Sequence, residues 1–113
     1  MSVFNDEHNI ENSIKSILNQ TYENYEFLIM DDGSTDKTRS ICSSYANKYE
    51  KIRLLLNEKN IGLTKSLNIL ISKASGYYIT RQDSDDISRS TRFEKQIKFW
   101  VGSNNKKISF NGD

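Results

Sequence analysis

The chain has 113 residues, enough for one domain with a modest hydrophobic core. Its net charge is +1, with 16 basic and 15 acidic residues, so composition gives no electrostatic reason to expect nucleic acid as a partner. A single cysteine excludes an internal disulfide, and a single histidine excludes a multi-histidine metal site. Because no apolar stretch could span a bilayer and no signal peptide is evident, we expect no transmembrane segment and a cytoplasmic location.

Strand and helix patterns alternate along the chain. Met1–Phe4 is typical of the last residues of a strand, and apolar residues at helical spacing predict an amphipathic helix over Asn9–Asn19. Strands joined by helices predict right-handed crossovers and a three-layer α/β fold with a mostly parallel sheet. The remaining predicted elements are strand Tyr25–Met30, helix Lys37–Tyr49, strand Ile52–Leu56, a helix from Leu63 to Ala74, strand Tyr77–Thr80, a helix from Phe93 to Val101 and a strand beginning at Ile108.

Three carboxylates follow the strand Tyr77–Thr80 within four residues of one another: Asp83, Asp85 and Asp86. Like charges this close repel, so such a cluster usually persists with a cation or strong hydrogen-bond donors nearby. Mg²⁺ and Mn²⁺ prefer oxygen ligands, and Mg²⁺ commonly uses carboxylates together with substrate phosphates. The cluster therefore indicates either a metal–diphosphate site or a solvated acidic turn that caps the following helix.

A second acidic cluster favours the ligand-binding interpretation. Strand Tyr25–Met30 runs directly into Asp31-Asp32-Gly33-Ser34-Thr35-Asp36. Ligands of open parallel sheets bind beyond the carboxyl ends of the strands, so two acidic strand ends would face one crevice. Within this cluster we assign Asp32 to ligand contact and Asp36 to capping of the next helix. Cys42 lies in that helical pattern and is better explained as a core residue than as a nucleophile.

Six short segments occur in a fixed order and spacing along the chain: Ser2–Asn5, Ile17–Tyr22, Asp31–Asp36, Asn60–Leu63, Gly76–Ile79 and Asp83–Asp86. Taken together, they make the chain resemble the N-terminal, nucleotide-sugar-binding half of the family 2 inverting glycosyltransferases, which have the GT-A fold. The resemblance implies that residues 1–113 form a partial glycosyltransferase domain, truncated at both ends. After Ser88 the family often has a proline, where this chain has Arg89 and Ser90.

The resemblance also implies roles for five residues. Asp85 would bind a divalent metal, Mn or Mg, on the donor diphosphate, and Asp83 would lie on the ribose side. Asp32 would pair with the uracil ring edge, while Ser2 and Phe4 would line the base pocket. The implied partners are a nucleotide-diphospho-sugar donor and a glycan or lipid-linked acceptor, and a homo-oligomer is left open.

The family's catalytic base is a carboxylate in the second half, so the resemblance assigns no catalytic residue here. It implies the donor-binding portion of an inverting enzyme that transfers a sugar to an acceptor hydroxyl in bacterial cell-surface polysaccharide biosynthesis, at the inner face of the membrane or free in the cytoplasm. Arg81 and Lys65 could add positive charge, although each is better explained as a surface residue.

Three other classes of protein are alternatives to this interpretation. The alternative that stays open is a non-catalytic donor-binding or interaction fragment that lacks the acceptor half. Response-regulator receivers and haloacid-dehalogenase phosphatases also carry acidic strand ends, but the order in which the acidic clusters occur along this chain fits neither of them.

Overall fold

The computed structural model describes residues 1–76, 78–101 and 108–111. Within these ranges strands and helices alternate as the sequence predicts, and Tyr77, the first residue of one predicted strand, lies outside them. The elements are β1 (Ser2–Val3), α1 (Ile10–Leu18), β2 (Tyr25–Asp32), α2 (Thr38–Lys48), β3 (Ile52–Asn57), α3 (Leu63–Lys73), β4 (Tyr78–Thr80), α4 (Arg92–Val101) and β5 (Ile108–Asn111).

Strand β2 is the centre of a five-stranded sheet in which every described pairing is parallel. On one edge, Phe27–Asp32 pairs with β3 along its whole length. Two strands share the other edge, because β5 pairs with Tyr25–Leu28 and β1 pairs with Met30 and Asp31. Strand β4 then pairs with β5. The carboxyl ends of all five strands therefore point to the same end of the sheet.

The amino group of Met1 lies where β5 and β1 meet along β2. It donates a hydrogen bond to the carbonyl of Leu28 at 2.7 Å, and the carbonyl of Met1 accepts one from the amide of Met30 at 2.8 Å. Burial lowers the pKa of this amino group well below its ordinary value. The hydrogen bonds of β2 along this edge are thus shared among β5, Met1 and β1.

Helices cover both faces of the sheet, which confirms the three-layer α/β prediction. All eight residues of β2 are buried, as is typical of a central parallel strand. Tyr25, Phe27 and Ile29 pack into the core formed with α1, α2 and α4, whereas Leu28 and Met30 pack against α3. Alternate side chains of one strand thereby fill both cores.

The predicted helix boundaries agree with the structure to within one or two residues, but β2 is longer than predicted. It continues through Asp31 and Asp32, because these two residues pair with Leu56 and Asn57 of β3. Cys42 is completely buried in the core, and burial raises the pKa of its thiol to about 12, so the prediction of a core residue is confirmed. In the part of the chain that the structure describes, no helix combines the length and the apolar composition that crossing a bilayer requires.

Candidate functional site at the carboxyl end of the sheet

The loops that follow β1, β2 and β4 are hydrogen-bonded to one another and form one rim. Asn5, after β1, donates its backbone amide to Ser34 Oγ at 3.0 Å and accepts the amide of Thr35 through Oδ1 at 2.8 Å. Its φ of 47° lies in the left-handed region, which asparagine tolerates better than most residues. On the other side, Ser84 after β4 donates its hydroxyl to Asp6 Oδ2 at 2.5 Å. The two acidic clusters therefore belong to one rim of the sheet.

Asp31 is a buried structural carboxylate. Its side chain has no exposed surface and accepts a hydrogen bond from Arg39 Nε at 2.7 Å, within a salt bridge whose arginine side chain is 41% exposed. The second carboxylate oxygen accepts the amide of Ser34 at 3.2 Å, and Arg39 also donates to the carbonyl of Asn57 at 3.1 Å. Asp31 thus joins the end of β2 to α2 and, through Arg39, to the end of β3.

Asp32 is 2% exposed and binds the loop that leads from β3 to α3. Its Oδ1 accepts hydrogen bonds from Asn57 Nδ2 and the amide of Ile61, both at 2.9 Å, and its Oδ2 accepts the amide of Gly62 at 3.0 Å. Burial alone would raise the pKa of Asp32, but the hydrogen bonds from Ile61, Asn57 and Gly62 outweigh it and hold the pKa below its ordinary value. Asp32 is therefore an anionic anchor for this loop.

The residues predicted for the base pocket lie near Asp32 in the sheet. Ser2 pairs with Met30, two residues before Asp32, and Phe4 follows β1 with 46% of its surface exposed. Both oxygens of Asp32 bind donors of its own chain, and a hydrogen bond from the Ser66 side chain also lowers the pKa of this carboxyl. Contact between Asp32 and a ligand remains a prediction.

The capping prediction for Asp36 is wrong by one position. Helix α2 begins at Thr38, and its N-cap residue is Lys37, which makes no side-chain capping bond. Asp36, one residue earlier, still accepts the amide of Thr38 through Oδ1 at 2.9 Å and that of Glu7 through Oδ2 at 3.3 Å. Its carboxylate satisfies the first amide of the helix from outside the cap position.

Asp83, Asp85 and Asp86 lie in the loop after β4, and all three are exposed. Their carboxylates each offer one oxygen, and these oxygens lie within 4.8 Å of one another. The amide of Asp86 donates to the carbonyl of Asp83 at 3.0 Å, which closes a tight turn. Among the residues that the structure describes, no lysine or arginine forms a salt bridge with them. Three close, exposed carboxylates are suited to a hard divalent cation.

The two cations considered in the sequence analysis are both exposed. Arg81 lines an open depression of about 540 Å³ between the Asp83–Asp86 loop and α4, which Asp86 also lines. Lys65 lies on α3. A surface position, the favoured interpretation for each, agrees with this placement.

Sequence reasoning missed the polar residues that hold the carboxylate loop against α1. Ser13, which is completely buried, donates its hydroxyl to the carbonyl of Asp83 at 3.0 Å, and Gln82 is 2% exposed. A signal was present, because Ser13, Ser16 and Gln20 interrupt the otherwise apolar inner face of α1 and its C-terminal end. Buried polar side chains require partners, so polar residues on that face indicate a packed polar neighbour.

A parallel α/β sheet flanked by helices, with carboxylates at the strand ends, is the arrangement of the N-terminal part of a GT-A fold. The family model for glycosyl transferase family 2 matches residues 1–106. The chain therefore belongs to glycosyl transferase family 2.

Several curated relatives support this assignment. EpsE of Bacillus subtilis (strain 168), assigned as a glycosyltransferase, is 46% identical over 100 residues, covering 88% of this chain and 36% of EpsE. An uncharacterized glycosyltransferase of Haemophilus influenzae is 41% identical over 96 residues, covering 85% of this chain and 30% of the relative. The UDP-Glc:alpha-D-GlcNAc-diphosphoundecaprenol beta-1,3-glucosyltransferase WfgD of Escherichia coli is 40% identical over 110 residues, covering 97% of this chain and 42% of WfgD. The chain thus spans roughly a third of the length of these relatives.

Proposed function

We propose that this chain is the donor-binding portion of an inverting glycosyltransferase that uses a UDP-sugar. The observation that carries the proposal is the group formed by Asp83, Asp85 and Asp86, whose oxygens lie within 4.8 Å of one another at the carboxyl end of a parallel sheet. Ligands of open α/β sheets bind at that end, and a nucleoside diphosphate needs a cation beside its phosphates. Membership of glycosyl transferase family 2 supports the same assignment.

Asp85 is the proposed metal ligand. It is exposed, and no hydrogen bond or salt bridge to its carboxylate occurs among the described residues, so its oxygens are available. Asp83 lies within reach of the same ion and is proposed to accept a hydrogen bond from a ribose hydroxyl. When bound, Mn²⁺ or Mg²⁺ neutralises the charge that develops on a diphosphate leaving group.

The base pocket is proposed at the ends of β1 and β2. Phe4 offers an exposed aromatic face next to the strand end, and such a face can stack on a pyrimidine. Ser2 lies in the strand that precedes Phe4, and Asp32 is proposed to accept a hydrogen bond at the uracil edge. The bonds from Ile61 and Gly62 keep Asp32 anionic and therefore an acceptor.

The acceptor is proposed to be a glycan or a lipid-linked sugar in bacterial cell-surface polysaccharide synthesis. The name of WfgD describes transfer of glucose to a diphosphoundecaprenol-linked sugar, and lipid-linked acceptors of this kind would place the enzyme at the inner face of the membrane. Because the chain spans roughly a third of its relatives, we propose that residues 1–113 bind donor but transfer little sugar. The resemblance assigns no catalytic base to residues 1–113, and general acid–base assistance typically contributes about 10²–10⁴-fold to the reaction rate.

Calorimetry of UDP binding with and without Mn²⁺ tests the proposal. We expect UDP affinity to rise with Mn²⁺ in the wild-type chain and to lose that dependence in Asp85→Ala. Glu50→Ala is the matched control, because it removes the same charge as Asp85→Ala. Glu50 is an exposed carboxylate in the turn before β3, at the opposite end of the sheet. This variant should bind Mn²⁺ and UDP as the wild type does.

Three outcomes would contradict parts of the proposal. UDP binding that needs no metal and survives Asp85→Ala would remove the metal assignment. A wild-type chain that binds no UDP with or without Mn²⁺ would favour the non-catalytic interaction fragment instead. Rapid sugar transfer by residues 1–113 would show that the catalytic base lies within this chain.

A further inference from the structure

Gln82 lies directly before the first carboxylate of the Asp83–Asp86 loop, and its side chain is almost completely buried. Its Nε2 donates to the carbonyl of Asp86 at 2.7 Å, to Ser13 Oγ at 3.1 Å and to Ser16 Oγ at 3.3 Å. These contacts join the loop to the inner face of α1. One amide group therefore binds both the last carboxylate residue of the loop and the helix beneath it.

The other end of the Gln82 amide faces α4. Its Oε1 accepts hydrogen bonds from Ser88 Oγ at 2.6 Å and from Arg92 Nη1 at 3.0 Å. The orientation of the amide follows from its neighbours, because the carbonyl of Asp86 can only accept and the guanidinium of Arg92 can only donate. Both Nε2 and Oε1 of Gln82 are therefore hydrogen-bonded, and the side chain cannot rotate without breaking several hydrogen bonds.

The loop has a second attachment to α1. Ser13 Oγ donates to the carbonyl of Asp83 at 3.0 Å while it accepts from Gln82. The backbone carbonyls of the first and last carboxylate residues are therefore held by neighbouring atoms of one polar network. Since Asp85 lies between these two fixed points, the network constrains where all three carboxylates can lie.

We propose that Gln82 is a positioning residue that sets the spacing of Asp83, Asp85 and Asp86 and thereby the affinity of this loop for a divalent cation. The inference rests on the proposed metal–UDP function and goes beyond it by assigning a role to a residue that touches no ligand. Residues that orient metal ligands from behind typically contribute about 10–100-fold to metal affinity.

Two substitutions separate positioning from charge. Gln82→Met removes both ends of the amide at similar volume. Gln82→Glu keeps the acceptor for Arg92 but places a carboxylate oxygen against the carbonyl of Asp86. The added negative charge alone would tighten Mn²⁺ binding, whereas a displaced loop would weaken it. The sign of the change in Gln82→Glu therefore distinguishes the two effects.

Gln20 provides the matched control. It is 5% exposed and joins the end of α1 to the segment around the start of α4. Its Nε2 donates a hydrogen bond to the carbonyl of Arg89 at 2.7 Å, and its Oε1 accepts one from the amide of Phe93 at 3.1 Å. It makes no hydrogen bond to the three carboxylate residues among the described contacts. Gln20→Met should therefore lower stability without changing the Mn²⁺ affinity.

The experiment titrates Mn²⁺ at fixed UDP, with the free ion followed by electron paramagnetic resonance and stability by urea unfolding. We expect Gln82→Met and Gln82→Glu to bind Mn²⁺ about 10-fold more weakly or worse, and Gln20→Met to bind it as the wild type does. Wild-type affinity in Gln82→Met, tighter binding in Gln82→Glu, or an equal loss in Gln20→Met would overturn the inference.

Two further measurements keep the test decisive. If the Gln82 variants do not fold, Ser13→Ala keeps the Gln82 amide and removes the two bonds of the Ser13 hydroxyl, to the carbonyl of Asp83 and from Gln82 Nε2. It should still weaken Mn²⁺ binding, and unchanged affinity would overturn the inference. If the wild type binds neither Mn²⁺ nor UDP, the proposed function fails. Hydrogen exchange of backbone amides in the metal-free chain then tests whether Gln82 holds the Asp83–Asp86 loop in place. The amide of Asp86 should exchange faster in Gln82→Met than in Gln20→Met, and equal rates would overturn the positioning role.

Discussion

The two acidic strand ends of this chain look alike in sequence and differ in almost every physical respect. At the end of β2, Asp31 and Asp32 are buried and accept hydrogen bonds from Arg39, Ser34, Asn57, Ile61 and Gly62. After β4, Asp83, Asp85 and Asp86 are exposed and close together, with no salt bridge to a described lysine or arginine. Carboxylates at equivalent places in one sheet therefore differ in burial and in their hydrogen-bond partners.

The difference lies in what the chain supplies around each cluster. Strand β2 is central in the sheet, and the segments beside its carboxyl end supply amide groups and a guanidinium. These donors form hydrogen bonds with both buried carboxylates. The carboxylates that follow β4, by contrast, lie in an exposed loop. The first cluster is thereby built for stability and the second is left available for a cation.

The largest effect on stability is expected at Arg39. Arg39→Met leaves Asp31 buried without its cation, and breaking a buried pair from one side costs about 3–5 kcal/mol. We expect a loss near the lower limit, about 3 kcal/mol, because the arginine side chain is 41% exposed. Urea unfolding measures it, and the double variant Asp31→Asn, Arg39→Met should recover part of the loss. An unchanged midpoint in Arg39→Met would show that Asp31 does not depend on this pair.

Asp32→Asn should have the next largest effect. The NH₂ group that replaces one carboxylate oxygen faces Asn57 Nδ2 and the amide of Ile61 if it replaces Oδ1, or the amide of Gly62 if it replaces Oδ2. At least one of these donors therefore loses its bond to Asp32. An unsatisfied buried polar group costs about 1–3 kcal/mol of unfolding free energy. Faster amide exchange at Ile61 and Gly62 should accompany the loss. Wild-type stability would mean that the loop does not need the charge of Asp32.

The stability difference between the wild type and Asp32→Asn should depend on pH. The pKa of Asp32 is lower in the folded chain than in the unfolded chain, where the pKa of an aspartate is about 3.9. The folded state therefore binds fewer protons, so the stabilisation from Asp32 is fully present above about pH 4 and is lost as pH falls through the lowered pKa. Urea unfolding between neutral and acidic pH should show the difference shrinking below about pH 4. A constant difference would contradict the role of the charge.

The smallest effect on stability, and one of opposite sign, is expected at Asp85. Asp85→Asn removes one of three neighbouring negative charges from an exposed loop, so mutual repulsion falls and no described hydrogen bond is lost. The urea midpoint in the absence of metal should stay the same or rise slightly, while Mn²⁺ binding is lost. A marked destabilisation would show that Asp85 has a structural role like that of Asp32.

Much of the fold could be predicted from local pattern. Apolar residues at helical spacing place α1, α2 and α3 to within one or two residues, and the alternation with strands predicts the parallel sheet. The sequence predicts that β2 ends at Met30, because the apolar run ends there. Pairing with Leu56 and Asn57 carries the strand through Asp31 and Asp32.

The sequence by itself determined the order of the elements, the family and the positions of both acidic clusters. Only the tertiary structure decided which carboxylates are satisfied, because their partners are distant along the chain. The amide of Ile61 reaches Asp32 across 29 residues, and Gln82 reaches Ser16 across 66. The structure also placed β1 and β5 on one edge of β2. Periodicity reports which face of an element is buried, whereas hydrogen-bond partners depend on how distant elements pack, and no local pattern contains that information.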